Sequence, residues 1–73
     1  MKIKAECMEE LEKFGFKVSK NTYHNGIPCM ENGFLMVNQD DRIIQIISGV
    51  DEVNGDEELI IFYKLVKADM VEE

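Results

Sequence analysis

His24 is the only histidine in the chain, so any imidazole-based catalysis would have to use it. Cys29 follows across an Asn25-Gly26 pair, and a tight turn there would bring thiol and imidazole near each other. A nucleophile–base pair needs hydrogen-bond reach, an oxyanion site and exclusion of water. A hairpin tip offers no pocket and no dryness. The reading is therefore a turn histidine beside a packed cysteine, with no catalytic residue.

Metal and cofactor chemistry fare no better at this level. A structural zinc site wants four cysteine or histidine ligands, and the chain has one His and two Cys, without CxxC or HxxxH spacing. The carboxylates Asp51, Glu52, Asp56, Glu57 and Glu58 suggest calcium, but Val53 and Gly55 interrupt the alternation that an EF-hand loop needs. Neither GxGxxG nor GxxxxGK[ST] occurs, so no phosphate cradle is present. No metal and no cofactor are expected.

Charge narrows the partners. Fifteen carboxylates against eight bases give a formal charge of −7, which repels a phosphate backbone and an anionic lipid surface alike. Direct binding to nucleic acid or membrane is not expected; a basic protein partner is permitted. No base occurs between Arg42 and Lys64, while Asp51, Glu52, Asp56, Glu57 and Glu58 fall inside that interval. Such a patch could imitate DNA phosphates and occupy the groove of a basic host protein.

The elements that must position these residues follow from periodicity. Cys7, Leu11 and Phe14 fall at i, i+4 and i+7, predicting an α-helix over 4–14 with its glutamates outward. Gly15 suits the left-handed position that ends helices, with Phe16 folding back on Leu11. Phe16 to Tyr23 reads as a half-exposed strand, and Asn25-Gly26 as a type I′ hairpin turn. Cys29 to Val37 reads as one central strand with a bulge at Gly33. Asn38 to Asp41 is a four-residue turn and Arg42 to Ser48 the third strand. A helix over 57–68 completes the order, capped by Asn54 or Asp56, with Lys64 and Lys67 at the favourable end of its dipole. The competing reading is a fourth strand, since Leu59 to Tyr63 is also rich in strand formers. The expected fold is α+β: helix, three-stranded antiparallel meander, helix, in two layers within one 73-residue domain.

Met1-Lys2-Ile3-Lys4-Ala5-Glu6, the exit Leu11-Glu12-Lys13-Phe14-Gly15-Phe16, and the ending from Phe62 to Glu72 resemble small uncharacterised proteins of Gram-positive bacteria and their phages and prophages. That resemblance implies a mobile-element origin. It brings no activity and no site residues.

With no apolar h-region at the start and no run near the roughly 20 residues that span a bilayer, a cytoplasmic chain is expected. Both cysteines should then be free thiols. Two helices on one sheet face would leave Leu35, Val37, Ile43 and Ile47 on the other (or Phe34, Met36, Ile44 and Ile46 with the faces reversed), with Ile60 and Ile61 outside the core stripe of the last helix. One helix on each face would leave no patch. An apolar patch of this kind marks an interface. The functional expectation is a non-catalytic protein–protein interaction module that self-associates as a homo-oligomer, with the acidic decoy as the alternative.

Overall fold

The structure, a computed structural model, describes residues 1–46 and 55–72, with the side chains of 55–57 outside that description. In chain order it contains β1 (Lys2–Ile3), a 3₁₀ helix (Ala5–Phe14), β2 (Lys17–His24), β3 (Ile27–Asn32), β4 (Leu35–Val37), β5 (Ile44–Ile46), α1 (Gly55–Lys67) and β6 (Val71–Glu72). Strands β2-β3-β4-β5 form one antiparallel sheet, and β1 pairs with β6 in a second. The chain is thus mostly β, with two short helices, and not the helix, three-stranded meander and helix in two layers that its pattern suggests.

Two local events account for the difference. The segment expected as a single strand is split at Gly33: Asn32 pairs with Leu35, leaving Gly33-Phe34 as a two-residue loop. Gly33 has φ +62°, and glycine at the first central position is the type II′ pattern. At the chain ends, Lys2 lies opposite Glu72 and Ile3 opposite Val71. The last described residues, Val71 and Glu72, are therefore a strand. A bridge between Lys2 and Ile43, with the Ile3 amide donating to the Arg42 carbonyl at 2.9 Å, joins the small sheet to the large one.

The first helix winds more tightly than expected, and its residues show why. With three residues per turn, side chains at i and i+3 eclipse. Met8, Leu11 and Phe14 then form one apolar row, and Glu6, Glu9 and Glu12 an acidic one. The exit at Gly15 follows expectation. Gly15 (φ +87°) donates to the Glu12 carbonyl and Phe16 to the Leu11 carbonyl, a Schellman motif that brings Phe16 onto Leu11. α1 ends the same way: Asp69 donates to Val66 and Met70 to Leu65, at 3.0 and 3.1 Å.

The Asn25-Gly26 turn has positive φ at both residues, 52° and 79°, as type I′ requires. β2 carries an irregularity between Val18 and Tyr23, where the buried Ser19 hydroxyl accepts from the Asn21 and Thr22 amides. One core gathers Ile3, Leu11, Phe16, Met30, Leu35, Val37, Leu65 and Met70. It draws on β1, both helices, both helix exits and the central strands.

Register corrects the expected faces. Val37 lies opposite Ile44 and Leu35 opposite Ile46, and directly opposite residues share a face. Leu35 and Val37 therefore belong to the core side, at 1% and 0% exposure. They are not outward-facing, because Arg42 adopts a left-handed conformation (φ +66°) in the loop and β5 begins only at Ile44.

Candidate functional site

In a four-stranded meander, alternate turns lie at the same end of the sheet. The β2–β3 turn and the β4–β5 loop therefore meet, and they bring His24 and Asn25 against Asp40 and Asp41. His24 Nδ1 lies 2.9 Å from both carboxylate oxygens of Asp40 and 3.9 Å from Asp41 Oδ2. Asn25 Nδ2 donates to Asp40 Oδ2 at 2.8 Å, and the Ile43 amide donates to Asp41 Oδ1 at 3.0 Å. One ligand-type atom from each of His24, Asp40 and Asp41 falls within 4.8 Å of the others.

Electrostatics follow the contacts. Bonding to Asp40, reinforced by both aspartate charges, raises the His24 pKa above its ordinary 6.5 despite partial desolvation. The same bond, helped by Asn25 and backbone amides, lowers Asp40 from 3.8 to about 2. Their opposite directions describe one ion pair.

Cys29 is not the partner of His24. Its thiol is fully buried and donates to Asn38 Oδ1 at 3.3 Å, an oxygen that Gln45 Nε2 also reaches at 3.1 Å. Burial, with the Asp40 and Asp41 charges adding to it, pushes the thiol pKa up, opposite to what a nucleophile needs. Cys7 is half-buried, and both cysteines are free.

The missed aspartates had a signal. A break at Asn32-Gly33 reverses the chain once more and moves the Asn38–Asp41 turn to the Asn25-Gly26 end of the sheet. A single strand from Cys29 to Val37 would put the two turns at opposite ends.

A second candidate surface lies on α1. Leu59, Ile60 and Tyr63 are 58%, 55% and 59% exposed, and Val66 is also exposed. Leu59 joins two depressions. One is bordered by Met1, Leu35, Ile44, Gln45, Ile46 and Phe62, the other by Ile60, Tyr63, Lys64 and Lys67. The apolar surface is therefore continuous from Ile46 at the sheet edge to Tyr63, where Lys67 sits 5.5 Å from the ring centroid.

The residues expected at an interface are not brought together as a set. Ile43 and Ile60 are exposed, Ile61 is half-buried against the core, Leu35 and Val37 are inside it, and Ile47 lies outside the described residues. The expected acidic patch is also altered. Glu58 is buried at 2% exposure, and its Oε1 accepts from the Phe34 amide at 3.2 Å, bracing the β3–β4 turn from α1. Asp51 and Glu52, and the side chains of Asp56 and Glu57, lie outside the description.

No family model, curated protein or solved structure matches this chain. No helix of the described residues is long and apolar enough to cross a membrane.

Proposed function

We propose that the chain is a non-catalytic protein–protein interaction module that self-associates through the outer surface of α1 and the adjoining β5 edge. The observation that carries this reading is the exposure of Leu59, Ile60 and Tyr63, each more than half open on one helix. A solvated helix normally turns polar residues outward, and a contiguous apolar surface usually marks a contact.

The sheet edge supports the same reading. Arg42 and Ile44 direct their backbone groups to β1. By the alternation of an antiparallel ladder, Ile46 points its N–H and C=O the same way, past Met1. An edge without a strand partner among the described residues, beside an apolar helix, invites a second strand or helix.

The expected strength is modest. Ile46, Leu59, Ile60 and Tyr63 on each of two copies, completing about half their burial, contribute on the order of 6–12 kcal/mol. Association costs at least about 4 kcal/mol, so at most about 8 kcal/mol is left and the dissociation constant is no tighter than about micromolar. Each copy carries −7, so dimerisation should strengthen as salt screens the repulsion.

Sedimentation over a broad concentration range tests this. A dimer is expected that tightens with salt and is lost in Leu59→Asp or Ile60→Asp while the circular dichroism spectrum is kept. A monomer even at millimolar concentration would end the reading. The acidic decoy, of phage origin, ranks second because a buried Glu58 removes one of the charges it would display. It makes the opposite prediction, binding to a basic partner that weakens with salt.

A further inference from the structure

We propose that His24, Asp40 and Asp41 form a binding site for a divalent transition-metal ion of the Zn²⁺, Co²⁺, Ni²⁺ class. Metal–ligand distances near 2.1 Å place neighbouring ligand atoms about 3.0 Å apart in octahedral and about 3.4 Å apart in tetrahedral geometry. The separations of 2.9 and 3.9 Å from His24 Nδ1 to Asp40 and Asp41 bracket that range. Small side-chain rotations close the difference.

The carboxylates are held as ligands usually are, each with an anchor behind it. Asn25 Nδ2 holds Asp40 through Oδ2, and the Ile43 amide holds Asp41 through Oδ1, which leaves Asp41 Oδ2 on the His24 side. At 3.9 Å that oxygen is too far for a hydrogen bond to the imidazole and faces it through charge alone. Charge points the same way. Two carboxylates around one imidazolium leave a net −1, whereas a dication on neutral imidazole brings the cluster to zero. The mixed nitrogen and oxygen donors favour transition metals over Mg²⁺ and Ca²⁺, which take oxygen ligands. The half-exposed position leaves room for water in the remaining coordination places.

The anchoring turns are themselves constrained. Asn25-Gly26 is a two-residue type I′ turn, and the Asn38 amide donates to the Ile43 carbonyl across the facing loop at 3.0 Å. The ligand set is therefore assembled by the sheet and not by a flexible segment.

Because His24 is the only histidine, its two ring nitrogens can be followed without assignment ambiguity by long-range ¹H–¹⁵N NMR, a readout that thiol binding does not disturb. Titration of the full chain with Zn²⁺ should shift the Nδ1 resonance, saturating at one equivalent. Mg²⁺ should leave it in place. Asp41→Asn keeps an oxygen for the Ile43 amide and should weaken Zn²⁺ by about tenfold or more; Asp40→Asn should do the same. Unchanged ring nitrogens at millimolar Zn²⁺ would overturn the site. So would coordination through Nε2 with undiminished affinity in Asp41→Asn, the behaviour of an isolated surface imidazole.

Discussion

The two helices leave by the same route and present opposite exteriors. Each ends in a Schellman turn that drops an apolar residue onto a buried leucine: Phe16 on Leu11, Met70 on Leu65. The 3₁₀ helix then shows water its row of glutamates, whereas α1 shows Leu59, Ile60, Tyr63 and Val66. The inner faces solve the folding problem in the same way, so the difference outside is not required by the fold. That contrast is what supports the contact role proposed for α1.

The inner equivalence can be broken most forcefully at the leucines. Leu11→Ala and Leu65→Ala each empty a fully buried position and should each cost about 2–5 kcal/mol in urea unfolding. A cost at one leucine alone would show that only one helix is integral to the core. Leu59→Ala, on the open face, should change stability by less than about 0.5 kcal/mol.

The exits provide a sharper test, because glycine occupies one and aspartate the other. At Gly15 (φ +87°) an added Cβ would stand 2.9 Å from Asn32 Nδ2, which itself donates to the Phe14 carbonyl at 2.8 Å. Gly15→Ala should destabilise by roughly 1–2 kcal/mol, from left-handed strain and loss of that bond. Asp69 has φ +59° without glycine's freedom, so Asp69→Gly should stabilise by about 0.5 kcal/mol in thermal unfolding. The Lys4–Asp69 contact that it removes, at 2.9 Å, leaves Asp69 89% exposed and offsets little of the gain.

The smallest effect should come from pH at the end of the sheet that holds His24 and Asp40. His24 binds its proton more tightly when folded, so its contribution is complete below 6.5 and fades as pH rises through the raised folded value. Asp40 contributes above 3.8 and fades as pH falls towards about 2. Their pair is therefore worth most between about pH 4 and 6.5. In chelator-containing buffer, the urea midpoint should show a shallow maximum across that window, and His24→Gln should flatten it.

These contrasts also explain how much was legible beforehand. Gly15 announced the first exit, because glycine is the ordinary left-handed residue, and Asn25-Gly26 announced its turn for the same reason. Asp69 gave no such notice. The row Met8, Leu11, Phe14 satisfies a period of three, but with Cys7 included it also satisfies an α-helical one, so the pattern alone does not separate the two windings. Gly33 supports either a bulge or a turn, and only pairing across Asn32 and Leu35 decides between them. Much depends on it: a chain running straight through Gly33 has one strand fewer and separates His24 from Asp40, while the side taken by Leu35 and Val37 is set by the β4–β5 register. The pairing of β1 with β6 was beyond local pattern altogether, since two-residue strands carry no periodicity.

That short pairing has a consequence for how the molecule is made. The Lys4 amide donates to the Met70 carbonyl at 2.8 Å, and Arg42 reaches both the Ile3 carbonyl and Glu72. During synthesis Ile3 can meet Arg42 once the four-stranded sheet is made, but its strand partner Val71 and the Met70 carbonyl that Lys4 needs come about thirty residues later. Contacts this distant in sequence close late and slowly, so the hairpins should form early, and the nascent chain should be most vulnerable to proteases just before residues 70–72 arrive.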